Sequence, residues 1–273
     1  MINNLLLNDF KYKWLKILTL EKNIKNIEKY EGFVKSFVQE TLNKDLILKS
    51  FTKNKSKKIK PPSLSNISFA VKDIINVDGY PTRCGSELPS ELFLGKQSSV
   101  VTSLLNSGAI FIAKTVTAEF AISDPGETRN PRNLKHTPGG SSSGSGASVA
   151  AGFCDFALGT QTCGSVIRPA GYCGVIGYKP SFGRISRDGV LLFSKSMDHV
   201  GVIAKNLNLL DTILPIIVKN WKIKQKILND QIVLGIPEGS YLDLAKSNIL
   251  KQFLGVSKSI ETQFEIKKTH LVN

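Results

Sequence analysis

The sequence predicts a protein of the α/β class, in which strands alternate with helices along the chain. Two patterns indicate this: a strand-like, helix-like and strand-like succession over residues 67–113, and a strand-like stretch followed by a helical pattern over residues 231–264. The composition, with 41% hydrophobic and 21% charged residues, excludes a collagen, a coiled coil and a wholly disordered chain. We therefore expect helices packed on a sheet around a hydrophobic core.

The first succession begins with residues 67–72, which alternate like a short strand and end at Lys72. Ser98 is predicted to cap a helix, and the Asn-Ser-Gly triplet at 106–108 supplies its stop signal. Residues 109–113 are an uninterrupted apolar run and predict the next strand. Strand, helix and strand in this order are typical of an α/β unit.

The two ends of the chain differ from this central part. Residues 1–60 are predicted to be a helical N-terminal segment with a basic linker, including an amphipathic helix that starts at Glu31 and runs through about residue 48. Residues 61–273 are predicted to be the core. Towards the C-terminus we expect a strand over 231–237 and a helix over 242–264.

Charge and cysteine usage exclude several classes of protein. The net charge is +14, but the excess is mostly scattered lysine without clustered arginine, so we do not expect nucleic-acid binding. No run approaches the ~18–20 apolar residues of a membrane span, and the start of the chain lacks the apolar run of a signal peptide, so we expect a cytoplasmic protein. The four cysteines lack metal-ligand spacing, so we expect reduced thiols and no metal.

Two loops rich in glycine and serine, over residues 138–146 and 159–174, are the most informative part of the sequence. A flexible linker is disfavoured because the first loop runs into a helix-like stretch inside a domain. A phosphate-binding loop is disfavoured because Ser145 stands where the Walker motif needs lysine, and the dinucleotide-binding glycine pattern is also incomplete. Nucleophilic catalysis by serine remains, with glycines that let backbone N–H groups approach the substrate.

A nucleophilic serine needs a base that removes its proton. The three histidines are His136, His199 and His270, and none belongs to a Gly-x-Ser-x-Gly elbow. A Ser-His-Asp triad therefore has no local support, although it is not excluded. Lys72, at the end of a predicted strand and just before a turn, is the other candidate base.

Three features of the sequence occur in a fixed order: Lys72, the run Gly-Gly-Ser-Ser-Ser-Gly-Ser at 139–145, and the run Gly-Ser-Val-Ile-Arg-Pro-Ala at 164–170. Together they resemble the amidase signature family of Ser–cis-Ser–Lys hydrolases. The resemblance extends from about residue 67 to 202. It implies a mixed central β-sheet flanked by helices, the amidase signature fold. Because family domains continue well past the end of this chain, we expect the fold to be incomplete at the C-terminus.

The resemblance also implies roles at individual positions. Ser165 matches the nucleophile, Ser141 the bridging serine that follows a cis peptide bond, and Lys72 the general base. A lysine that acts as a general base must be neutral, and this requires burial to lower its pKa well below the ~10.4 of free lysine. The backbone N–H groups of Thr162, Cys163, Gly164 and Ser165 would form the oxyanion hole. Structural support is expected from Gly139, Gly140, Ser142, Arg168 and Asp198, with Arg168 pairing with a carboxylate such as Asp198.

The chain departs from the family pattern at Gln161, where many members have an acid, and at Arg168, which lies one place later than usual. We expect an amidase that hydrolyses the C–N bond of a small-molecule carboxamide, without a cofactor. One alternative is the A subunit of a tRNA-dependent glutamine amidotransferase, which shares the site and passes ammonia to a partner subunit. The other is an inactive remnant that acts as a binding partner. The sequence predicts no particular oligomeric state.

Overall fold

The structure is a computed structural model that describes residues 20–56, 64–122, 124–222 and 232–270. The chain divides into two compact units, Met1–Trp221 and Lys222–Asn273. The first unit contains the central sheet and every residue predicted to belong to the site.

A five-stranded mixed sheet forms the centre of the first unit, as the resemblance implies. The strand order is β2-β1-β3-β5-β4, with β1 parallel to β2 and β3, and β5 antiparallel to β3 and β4. The strands are β1 (Ser68–Lys72), β2 (Ile110–Thr115), β3 (Phe156–Gln161), β4 (Ile176–Tyr178) and β5 (His199–Ala204).

Helices cover both faces of this sheet. The helices are α1 (residues 20–34), α2 (Lys44–Ser56), α3 (Ser99–Asn106), α4 (Ser143–Ala150), α5 (Ile167–Cys173) and α6 (Leu207–Ile217). Side chains of β1 alternate between two hydrophobic clusters: Phe69 and Val71 pack in the cluster that contains α3 and α6, and Ala70 in the cluster that contains α1, α2 and α4. Because both faces are covered, all residues of β1, β2 and β3 are buried.

The strand–helix–strand prediction is confirmed by β1, α3 and β2, within one or two residues at each end. The capping prediction is wrong in its detail. Ser98 does stand at the N-cap of α3, but its hydroxyl makes no cap hydrogen bond and is buried without a partner among the described residues.

The predicted helix from Glu31 through about residue 48 is also wrong, because the chain leaves α1 after residue 34, forms a short 3-10 helix at Gln39–Thr41 and begins its next α-helix at Lys44. The buried Glu31 carboxylate explains the break: it accepts hydrogen bonds from the Ser36 hydroxyl and the Phe37 N–H, each at 2.7 Å. Phe37 then pairs with Thr115 at the edge of β2. A side chain that captures backbone donors in this way ends a helix.

The predicted boundary between residues 60 and 61 lies within residues 57–63, which are outside the described residues, and it stays a prediction. On its N-terminal side, residues such as Leu20, Ile24 and Ile47 are buried in the same cluster as the sheet residue Ala70. The N-terminal helices therefore cover one face of the sheet.

The second unit has two parallel strands, β6 (Val233–Glu238) and β7 (Glu265–His270), connected through α7 (Ser240–Asp243) and α8 (Ser247–Ile260). The strand predicted over 231–237 is confirmed from Val233 onward, whereas the predicted helix is divided into two shorter ones. Among all the described helices, none is long and apolar enough to cross a membrane.

Candidate active site

Lys72 is the last residue of β1 and is 0% exposed. Its ammonium nitrogen Nζ donates hydrogen bonds to two hydroxyls, Ser141 Oγ at 2.7 Å and Thr160 Oγ1 at 2.9 Å. β3 supplies Thr160, because it runs parallel to β1 and ends at the same edge of the sheet. The amine is therefore held by neutral groups at a fixed distance from a serine.

Ser141 follows a cis peptide bond from Gly140, as the resemblance implies, and its side chain is buried. Two donors hold its carbonyl oxygen: the Ala118 N–H at 2.9 Å and the Thr117 hydroxyl at 3.2 Å. Gly139 adopts a φ of 77°, and a Cβ there would lie 2.9 Å from the ring of Tyr172. Glycine is therefore needed at this turn for its conformation and for space.

Ser165 lies in the loop between β3 and α5 and is only partly buried. Its hydroxyl makes no hydrogen bond within the described parts of the chain. The backbone carbonyl of Ser165 accepts the Ser142 N–H at 3.2 Å, which ties the two glycine- and serine-rich loops together. The predicted nucleophile thus has a fixed backbone and a free hydroxyl.

Gln161 shapes the loop that carries Ser165. Its Oε1 accepts the backbone N–H groups of Val166 at 2.8 Å and Ile167 at 3.0 Å, and its Nε2 donates to the Cys163 carbonyl at 3.0 Å. The sequence marked this position only as a departure from the family pattern. An amide explains it, since the site uses an acceptor and a donor on one side chain, and a carboxylate offers no donor.

The loop also leaves backbone donors free. Within residues 20–56, 64–122, 124–222 and 232–270, no protein acceptor takes the N–H of Cys163, Gly164 or Ser165. Unpaired backbone N–H groups at a tight turn beside a serine hydroxyl are the arrangement that binds an oxyanion. Thr162, the fourth predicted member, donates its side-chain hydroxyl to Asp198.

Burial governs the protonation of Lys72. Removal from water lowers the pKa of Lys72 to about 7, against the opposing effects of Asp198 and Cys84, which favour the charged form. At neutral pH a substantial fraction of the amine is therefore unprotonated and able to accept a proton.

The predicted pairing of Arg168 with Asp198 is wrong. The Arg168 guanidinium donates at 3.3 Å to the Gly140 carbonyl, which is the carbonyl group of the cis peptide bond itself. Asp198 instead accepts the Thr162 hydroxyl and, at 2.8 Å, the Ser194 N–H. The two residues thus contact different parts of the site, since Arg168 points along the 139–141 turn and Asp198 binds the start of the Ser165 loop.

The remaining candidate groups lie apart from this arrangement. All four cysteines are free thiols; Cys84, Cys154 and Cys173 are buried, and burial raises the pKa of each thiol to about 12. Cys163 is exposed. In the described part of the chain, no histidine forms a hydrogen bond with Ser165. Among the same residues, no group of His, Cys, Asp or Glu side chains is arranged to hold a metal ion.

Comparison with known proteins gives a consistent result. A protein-family model described as Amidase matches residues 19–249. The A subunit of the glutamyl-tRNA(Gln) amidotransferase of Prochlorococcus marinus is 39% identical over 201 residues, which are 71% of this chain and 40% of that protein. The corresponding protein of Salinibacter ruber is 43% identical over 163 residues, covering 58% of this chain and 32% of that protein.

Solved structures have the same fold. A crystal structure described as an amidase has a TM-score of 0.83 at 27% identity and covers 94% of this chain and 60% of its own. The A subunit of the glutamyl-tRNA(Gln) amidotransferase from Thermotoga maritima has a TM-score of 0.74 at 26% identity, with 92% of this chain and 57% of its own covered. The chain therefore spans less than half the length of these curated relatives and about three fifths of these solved structures.

Proposed function

This chain belongs to the amidase family, and from that premise we propose that it cleaves the C–N bond of a small carboxamide through an acyl-enzyme on Ser165. The observation that carries the proposal is the 2.7 Å hydrogen bond between Lys72 Nζ and Ser141 Oγ, two side chains that are both buried. It joins a base of lowered pKa to the serine that, in the proposed reaction, carries the proton between Ser165 and Lys72.

In the proposed reaction, Ser165 Oγ attacks the amide carbonyl carbon and gives its proton to Ser141 Oγ. The Ser141 hydroxyl proton passes at the same time to the lone pair of Lys72 Nζ. The carbonyl oxygen becomes an oxyanion that the free N–H groups of the 163–165 loop stabilise. When the C–N bond breaks, the proton returns through Ser141 to the leaving amine, and water then releases the acyl group by the same route.

A fluorophosphonate probe with intact-mass detection tests this proposal without knowledge of the substrate. We expect one adduct on the wild-type chain, mapped to Ser165, and no adduct on Ser165→Ala or Lys72→Ala. Ser145→Ala is the matched control, because the hydroxyl of this buried serine bonds to Thr115 and to the Leu158 carbonyl rather than to Lys72, and its loss should leave labelling intact. A folded wild-type chain that takes no label, or a label retained by Ser165→Ala, would contradict the proposal.

A second candidate is the A subunit of a glutamyl-tRNA(Gln) amidotransferase. It is favoured by the names of the curated relatives, at 39% and 43% identity. In that case Ser165 would take the acyl group of glutamine, and a partner protein would receive the ammonia. Glutaminase activity that appears only when partner subunits are added would favour this candidate, whereas hydrolysis of simple amides by the chain alone would favour the first.

The third candidate is an inactive remnant that serves as a binding partner. The fluorophosphonate probe distinguishes this candidate from the other two. A folded chain that is never labelled, alone or with partners, yet copurifies stoichiometrically with a second polypeptide would favour it.

A further inference from the structure

The Lys72 amine and the Asp198 carboxylate are bound by two threonines at the same end of β3. Thr160 Oγ1 accepts a hydrogen bond from Lys72 Nζ at 2.9 Å, whereas the Thr162 hydroxyl donates to Asp198. The two threonines are separated by one residue, and two residues of extended chain span about 7 Å. The groups that anchor the amine and the carboxylate are therefore neighbours on one short segment of the chain.

The pairing of β3 with β5 explains why Asp198 reaches this end of the sheet. Gln161, the last residue of β3, pairs with His199, the first residue of β5, and Asp198 directly precedes that pair. The Asp198 side chain is 4% exposed, and a second hydrogen bond, from the Ser194 N–H at 2.8 Å, fixes its orientation. Arg187 donates to the backbone carbonyl of Asp198, at 3.4 Å, rather than to its carboxylate. The carboxylate is thus buried and held by uncharged donors.

Among the described residues, Asp198 supplies the negative charge that acts on Lys72. The other titratable group that acts on the amine is Cys84, whose thiol is neutral at pH 7 because burial raises its pKa to about 12. The carboxylate of Asp73, the residue after Lys72, forms an ion pair with the buried Lys114 at 3.1 Å. The electrostatic partner of the candidate base is therefore Asp198.

A counter-charge matters because Lys72 becomes an ammonium during the proposed reaction. The Ser141 proton moves to the lone pair of Lys72 Nζ, so a positive charge forms in a buried site while the substrate oxygen becomes negative. Burial disfavours that ammonium, and a fixed carboxylate nearby favours it. Because Asp198 opposes the effect of burial, the pKa of Lys72 stays at about 7, and a base of that pKa is effective at neutral pH.

We propose that Asp198 is a positioning residue of this site: held by two hydrogen bonds, its carboxylate is the counter-charge that stabilises the ammonium of Lys72. Asp198 takes no proton itself, since the proton goes to Lys72 and returns through Ser141. The inference rests on the proposed function for its purpose. The electrostatic coupling is a property of the folded chain and can be measured whether or not the chain turns over a substrate.

The experiment measures the titration of Lys72 directly, by NMR of protein labelled with 13C at the lysine ε-carbons, with the signal assigned through Lys72→Gln. We expect a midpoint near pH 7 in the wild type. Asp198→Asn removes the negative charge and should lower the midpoint by about one pH unit. The amide can keep both hydrogen bonds, because its oxygen accepts the Ser194 N–H and its amino group donates to the Thr162 hydroxyl oxygen.

Asp155→Asn is the matched control, since Asp155 is also 4% exposed but lies at the opposite end of β1 from Lys72. Its carboxylate pairs with Lys205 and accepts the N–H of Ser68, the first residue of that strand. The substitution removes an equally buried carboxylate at a greater distance, and it should leave the Lys72 midpoint within about 0.2 unit of the wild type.

The pH dependence of labelling at Ser165 gives a second readout. In Asp198→Asn the acidic limb of the labelling rate should move to lower pH by the same amount as the NMR midpoint. The limiting rate at high pH should fall by about three- to tenfold, because the base is weaker and its ammonium less stable. A residue with a purely structural role would lower the rate at every pH without moving the limb.

An unchanged or raised Lys72 midpoint in folded Asp198→Asn, or an equal fall in Asp155→Asn, would overturn the proposal. A measurement on the wild type covers the case in which Asp198→Asn does not fold. The 13Cγ signal of Asp198 should show an inflection at the pH at which Lys72 titrates, because the coupling between two titrating groups is reciprocal. Absence of that inflection would also overturn the proposal, whereas absence of probe labelling on the wild type would defeat the proposed function alone.

Discussion

The serines of residues 141–148 and Ser165 have different surroundings, although both loops look alike in the sequence. The first group is buried, and each hydroxyl has a partner. Their contacts are Ser141 with Lys72, Ser142 with the Thr160 carbonyl, Ser143 with the Val116 carbonyl, Ser145 with the Leu158 carbonyl and Ser148 with the Ser145 carbonyl. Ser165 is partly exposed and has no partner for its hydroxyl in the described residues.

The difference shows how a run that resembles a flexible linker becomes rigid. Buried hydroxyls are stable only when they are hydrogen-bonded. Four of these five serines thereby bind a neighbouring strand or turn, and Ser148 bonds within α4. A reactive hydroxyl must instead reach substrate, and Ser165 alone of these six meets that requirement. Ser141 is intermediate, since it is buried but bonded to an amine rather than to a carbonyl.

Ser141→Ala tests whether this intermediate serine belongs to the chemistry or to the scaffold. We expect the rate of modification at Ser165 to fall by about 10³-fold or more, because the proton path to Lys72 is broken. The rate is measured by timed intact-mass analysis with the fluorophosphonate probe. Ser143→Ala is the control, because Ser143 is equally buried but contacts Val116 rather than Lys72. A loss smaller than tenfold would place Ser141 with the scaffold serines.

Gln161→Leu tests the loop that carries Ser165. The substitution removes three hydrogen bonds and leaves the loop donors less well oriented, so we expect a fall of about 10²-fold in kcat or in labelling rate. Gln161→Glu keeps the acceptor for Val166 and Ile167 but loses the donor to Cys163, and should have an intermediate rate. The titration of Lys72 should not move in Gln161→Leu, which adds no charge near the amine. Full activity in Gln161→Leu would show that the loop is ordered without this amide.

Local patterns predicted a large part of this molecule. Periodicity and stop signals were sufficient for β1, α3 and β2, because these elements are determined by residues close in the chain. The ordered motifs led to Lys72, Ser141 and Ser165, and the structure brings the first two into hydrogen-bond contact. Those residues could be found because their spacing is part of the sequence itself.

The predictions that were wrong depended on contacts that no local pattern records. The helix expected from Glu31 ends after residue 34 because the Glu31 carboxylate becomes buried and captures the Phe37 N–H. Arg168 was expected beside Asp198, but its guanidinium reaches the Gly140 carbonyl on the other loop. The pairing of Lys114 with Asp73 likewise exists only once β2 lies beside β1.

The smallest expected effect concerns Ser145, which represents the scaffold side of the comparison. Its hydroxyl shares a hydrogen bond of 2.7 Å with Thr115 on β2 and donates to the Leu158 carbonyl on β3 at 3.0 Å, so it connects α4 to two strands. Ser145→Ala leaves buried polar atoms without a partner and should lower the free energy of unfolding by about 1–3 kcal/mol. For a unit of this size the midpoint of thermal unfolding should fall by roughly 2–12 °C.

Labelling at Ser165 in the Ser145→Ala variant should stay within about threefold of the wild type, because the hydrogen bonds of Lys72 are unchanged. A fall in labelling that exceeds the loss of folded protein would mean that the scaffold serines also take part in the chemistry, and the distinction between the two loops would fail.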